Sequence, residues 1–149
     1  MKVIYLSKET DFNQLNLKTV ESKSKNKYGT MHTFKEKLDL VTSEPCSDYH
    51  GFTSTENGKT FLCVQSPQLN AALKFITDKL TAERGYEFKA ERDMCYIRMN
   101  PDQAELIPKN QQINVSVSVY GVFYQTSTKI SFLQMELTGF KSYPLVQFD

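Results

Sequence analysis

Aromatic rings and lysines are the residues of this chain whose types and spacing could do chemistry together. Tyr120 and Tyr124 stand on one parity of an extended run, opposite Val115, Val117, Val119 and Phe123. Tyr96 and Arg98 share a parity of Met94–Met99, and Tyr28 and Phe34 share one in Tyr28–Leu40. Lys23, Lys25 and Lys27 fall in the polar stretch Glu21–Lys27, Lys35 and Lys37 follow it, and Lys129 closes the polar loop Gln125–Lys129. Rings beside cations make a surface on which flat bases stack, at ~1–3 kcal/mol each, while ammonium groups follow the phosphates. The plainer reading is that the rings fill or cover a core and the lysines decorate a solvated loop.

Metal or catalytic chemistry finds less support. His32, Cys46, His50, Cys63 and Cys95 are the imidazole and thiol groups of the chain, and none forms a CxxC or HxxxH pair. Cys46 and His50 have a two-ligand spacing, but a structural zinc takes four ligands. Cys63 and Cys95 lie in apolar runs, where cysteine is usually a small buried hydrophobe. Three widely spaced cysteines argue against a disulfide framework and for a reducing compartment, so all three are expected to be reduced. GxSxG, a phosphate-cradling glycine loop and HExxH are all missing from the sequence. Glu83, Glu87, Glu91 and Asp93 alternate with Arg84, Lys89 and Arg92, the pattern of a mutually neutralising surface. The expectation is a protein that is not an enzyme and needs no cofactor or metal.

The elements that must position these groups read mainly as strands. Gln111–Phe140 carries the clearest β signal, with apolar residues alternating through Val115–Phe123, then the polar loop, then a second run, Ile130–Thr138. Two such runs around a short polar loop predict a hairpin. By parity, Phe123 is expected in the core and Tyr120 and Tyr124 outside it. Gly121 marks the place where a bulge would slip that register. Val3–Leu6, Leu15–Val20, Tyr28–Leu40, Thr60–Gln65, Tyr86–Lys89 and Met94–Met99 are further strand predictions. Glu21–Lys27 reads as a turn, Val41–Lys59 and Asp102–Asn110 as irregular, and Lys141–Asp149 as a tail lying on the body. One helix is predicted over Pro67–Arg84. Ser66 is a good N-cap, Pro67 suits the first position, and Leu69, Ala72, Leu73, Ile76 and Leu80 form one apolar face. Gly85 follows the last turn, where helices stop.

At 149 residues, the chain is expected to form one domain over 1–149, and about two-thirds of its unfolded surface can be buried without a staple. No apolar run approaches the ~20 residues of a membrane span. Met1–Leu6 is followed by Lys8, Glu9 and Asp11, which leaves no room there for a signal-peptide apolar core. Net charge is only +1, less than a strongly cationic nucleic-acid binder carries. The charge is uneven, however: Lys18–Asp39 holds six lysines against Glu21, Glu36 and Asp39, and local patches govern partner binding more than the sum.

Mainly antiparallel strands with a single helix after the third is the element order of the OB-fold, a five-stranded Greek-key barrel, and the strands, one helix, further strands and long hairpin predicted here are similar to it. The stretch VSVYGVFYQTSTKISFLQMELTGFK resembles the closing strands of phage- and virus-type OB-fold single-stranded-DNA-binding proteins. The resemblance covers about the last third of the chain in sequence and the rest in element order. It implies a mainly β barrel with one helix, an extra hairpin and terminal extensions. It also implies sequence-tolerant binding of single-stranded DNA, or RNA, in replication or recombination. Partners would be replication or recombination proteins and further copies of the chain, in the cytoplasm or a host nucleus, with no membrane involved. Lys23, Lys25, Lys27, Tyr28, Phe34, Lys35, Lys37, Tyr96, Arg98, Tyr120, Tyr124 and Lys129 would be the contacts. The acidic C-terminal tail of some such proteins has no counterpart in LVQFD. The alternative is a non-enzymatic protein-interaction module on the same barrel, using Tyr120, Tyr124 and Val41–Lys59.

Overall fold

Strands dominate a computed structural model of the chain, which describes residues 2–7, 10, 20–44, 47–54, 60–88, 95–104 and 112–143. They are β1 (Lys2–Tyr5), β2 (Val20–Lys25), β3 (Gly29–Val41), β4 (Ser47–Ser54), β5 (Thr60–Gln65), β6 (Cys95–Met99), β7 (Gln112–Gln125) and β8 (Ile130–Tyr143). Helix α1 spans Pro67–Arg84, and a single turn, α2, spans Pro101–Ala104.

All eight strands join one mixed sheet in the order β1-β3-β7-β8-β6-β5-β4, with β2 also on β3. β1 runs parallel to β3 at residues 38–41, β2 antiparallel to it at 30–34, and β7 takes the other side along both stretches. β1 and β2 therefore lie end to end on one edge of β3. β6 meets β8 in parallel, at Arg98 and Glu136. The sheet does not close, so the five-stranded barrel expected from element order is corrected. The β7–β8 ladder, 14 residues on each strand, sits in mid-sheet, flanked on one side by β3 and on the other by β6.

One face of the sheet carries the core. Ile4, Leu38, Leu40, Leu62, Val64, Ile97, Ile113, Val115, Val117, Val119 and Val122 are buried there with Leu69, Ala72, Ile76 and Leu80 of α1. Fully burying such aliphatic side chains is worth about 1.5–3 kcal/mol each. α1 starts and stops as its sequence dictates. Ser66 Oγ accepts from Leu69 N, and Gly85, at φ 73°, donates its N–H to Thr81 O. Gln68 ties the helix start to the sheet, donating to Leu6 O and Ser43 Oγ while its Oε1 accepts from the Ser43 and Glu44 amides.

The hairpin register differs from the parity expectation. β7 pairs with β8 through Val119–Met135 and then Gly121–Gln134, so Tyr120 is an extra residue. The same point is irregular against β3, where Thr33 opposes Gly121 and Leu38 opposes Val119. Beyond the bulge Val122, not Phe123, takes the core side and is fully buried, while Phe123 is half-buried on the opposite face. Close approach explains the two glycines there. A Cβ on Gly121 would collide with His32 O and lie 2.7 Å from Met31 Cε, and one on Gly29 would collide with Tyr124 O and lie 2.9 Å from Phe123 Cζ. Phe123 thus covers Gly29, an aromatic laid over a strand glycine.

Two strands occupy stretches expected to be irregular: β2 in the polar Glu21–Lys27, and β4 within Val41–Lys59. Of Tyr86–Lys89, only an isolated bridge from Phe88 to Ser131 forms among the described residues. Most of Leu15–Val20, most of Asp102–Asn110 and most of the tail lie outside the described residues. No helix among the described residues is long and apolar enough to cross a membrane.

Candidate nucleic-acid interface

Strand pairing distributes the aromatic and basic residues into three groups. The first is at the end of the sheet where two turns meet. The β2–β3 turn is built by Asn26, whose Oδ1 accepts from the Tyr28 and Gly29 amides. The β7–β8 turn at residues 126–129 closes with Lys129 in the left-handed region, at φ 59°. Thr126 N donates to Tyr28 O at 3.0 Å and locks the turns together. Lys25, Lys27, Tyr28 and Lys129 are all exposed there. Lys27 Nζ lies 5.0 Å from the Tyr28 ring centroid. None of the three lysines is in an ion pair with a described carboxylate. A ring and three ammonium groups with no described carboxylate paired to them thus share one rim.

The second group is at the bulge. Phe34–Lys37 of β3 is the stretch skipped between Thr33 and Leu38, opposite the extra Tyr120 of β7. Lys35 and Lys37 are exposed there, Tyr120 is half-buried, and Phe34 is 3% exposed within the core. Phe34 is therefore corrected from a stacking residue to a core residue. Tyr124 has the parity of Val122, on the core side, where it pairs with Ser131. The platform expected from Tyr120 and Tyr124 together is corrected too, because the bulge separates them.

The third group is on β6. Cys95, Ile97 and Met99 are buried, and Tyr96 and Arg98 are exposed on the face that α1 does not cover. Lys23 pairs with His32 in the ladder, and only its backbone is described.

Sequence reasoning missed two features. Phe132 is 38% exposed, close to Tyr96 at 40%, although large aromatics are usually covered. Its signal was available, since Leu133, Met135 and Leu137 occupy one parity of β8 and Phe132, Gln134 and Glu136 the other. The second feature is a clamp beyond α1. Tyr86 Oη and His32 Nδ1 are 2.8 Å apart, with the rings edge-to-face at 5.5 Å. Burial pushes the Tyr86 hydroxyl above its usual 10.0, and Arg84 opposes the shift.

Cys63 and Cys95 are buried thiols, as expected for small hydrophobes, and Cys95 Sγ donates to Asn70 Oδ1 at 2.7 Å. Cys46 lies outside the described residues, and only the backbone of His50 is described. Among the described residues no group of three or more His, Cys, Asp and Glu could hold a metal. No family model, curated protein or solved structure matches the chain.

Proposed function

We propose that this protein binds single-stranded DNA without sequence preference, as a viral or phage protein of replication or recombination does. The observation that carries this reading is the joined pair of turns, which gathers exposed Tyr28 with Lys25, Lys27 and Lys129 and leaves their charges unpaired among the described residues. Unpaired ammonium groups beside an exposed ring are what a phosphate backbone and its bases require. The reading takes from the OB-fold resemblance its mode of binding, rings beside cations on a β surface, and not its barrel closure. The working compartment would be the cytoplasm or a host nucleus.

The test is fluorescence titration with labelled oligo-dT at two salt concentrations. Each phosphate contact on a single strand contributes about −0.7 to the slope of log K against log salt, so three lysines give about −2. The triple variant Lys25→Gln, Lys27→Gln, Lys129→Gln should lose most of that slope. Undetectable binding at low salt, or binding indifferent to salt, overturns the reading.

A further inference from the structure

We infer that the single strand crosses the face of the sheet opposite α1, from the joined turns over Phe132 to Tyr96. This rests on the function proposed above and specifies the path. The face is defined by parity. Core residues of β8 alternate with Phe132, Gln134 and Glu136, and those of β6 alternate with Tyr96 and Arg98. Phe132 and Tyr96 are both on the face opposite α1, and Tyr28, 63% exposed, stands at its rim.

The spacing suits successive bases. β6 and β8 are hydrogen-bonded neighbours aligned at Arg98 and Glu136. With strands ~4.8 Å apart and a rise of ~3.3 Å per residue, Phe132 and Tyr96 are roughly 8 Å apart at their Cα atoms. Tyr28 lies about 14 Å from Phe132 by the same geometry. Half-buried Phe123, the register partner of Phe132, covers Gly29 and gives the intervening surface an apolar floor.

Charge complementarity selects the occupant. Each of the three rings on this path has a cation near it in the chain: Lys27 over Tyr28, Lys129 in the turn that feeds Phe132, and Arg98, which faces Glu136 across the strands, two residues from Tyr96 on the same face. An apolar protein partner would gain from the rings alone, whereas a single strand uses ring and cation together.

Phe132→Ala and Tyr96→Ala, each checked for native circular dichroism, test the path by oligo-dT titration. Phe132→Leu keeps the apolar surface and removes only the ring. The expected result is a Kd about 5- to 150-fold higher for each alanine variant, with Phe132→Leu also weakened. Ultraviolet crosslinking of iodouracil-substituted oligonucleotide to wild type should label Phe132, Tyr96 or Tyr28. If wild type binds with the expected salt slope but these variants bind equally well and the crosslinks fall elsewhere, the path is wrong and the function stands. If wild type shows no binding at low salt, both fall.

Discussion

Truncating Val122 and Phe123 in turn tests the bulge on which the placement of the aromatic residues depends. Val122 is fully buried between His32 of β3 and Leu133 of β8. Val122→Ala removes two methyl groups, about 1.6 kcal/mol at ~0.8 kcal/mol each, and adds a cavity cost of up to ~1 kcal/mol, so about 2–3 kcal/mol is expected. Phe123 is half-buried on the other face, over Gly29 and beside Phe132 and Met31. Phe123→Ala should cost only about 1–2 kcal/mol, since it uncovers a ring already partly in solvent and ends cross-strand contacts. Had the strand kept parity through Gly121, Phe123→Ala would cost ~3–5 kcal/mol, as a buried ring does, and Val122→Ala little. Urea unfolding followed by circular dichroism, with the slope checked for constancy, gives both values. The order of the two is decisive. A Phe123→Ala cost exceeding that of Val122→Ala by 1 kcal/mol or more would refute the bulge and restore Tyr120 and Tyr124 to one face.

Two further outcomes follow from local geometry. Ser66→Ala removes the hydroxyl that accepts from Leu69 N and should lower stability by about 1 kcal/mol in urea unfolding, whereas Ser66→Asp should retain most of it; equal loss in both would show that the cap does not matter. Tyr86 ionises above its usual 10.0 because burial disfavours the phenolate, so the folded state holds that proton longer than the unfolded state. The resulting stability is present below about pH 10 and is lost as pH rises through the folded value. Subtracting the Tyr86→Phe titration at 295 nm from that of wild type should isolate one hydroxyl ionising above 10, and a difference midpoint at or below 10 would contradict the half-buried clamp.

Where local chemistry decides an element, the sequence was readable. Ser66, Pro67 and Gly85 bracket α1 by capping alone, and in Thr60–Gln65 the apolar run Phe61, Leu62, Cys63 and Val64 stands between polar neighbours. β2 and β4 were not readable, because neither shows an apolar parity. VESKSK is an edge segment on β3, and edge strands tolerate lysine, which also deters unwanted pairing. SDYHGFTS carries a glycine and mixed polarity at the far edge of the sheet. Pairing to a neighbour far along the chain, as between β1 and β3, leaves no local mark at all. The open sheet escaped detection for the same reason: element order is common to many β folds, and closure depends on long-range partners.

The candidate site was legible by residue type and misjudged in its geometry, and Gly121 accounts for much of the difference. Alternation is a reliable guide only while each residue has one partner. At Tyr120 the count changes against both neighbours, so the residues before the bulge keep the expected face and those after it exchange. That single slip turns Phe123 outward and Tyr124 inward. β8 has its own irregularity near Thr138, opposite the step from Ser116 to Val117, but its alternation is unbroken from Ser131 to Leu137. Phe132 is therefore the ring whose exposure the sequence could have supplied without knowledge of the bulge, while Tyr120 and Tyr124 needed the register first. The lysines show the opposite case. Lys25 and Lys27 are separated from Lys129 by about a hundred residues, and no spacing rule relates them. The amide of Thr126 and the carbonyl of Tyr28 bring them to one rim, and a near-neutral chain thereby acquires a local cationic end that its net charge conceals.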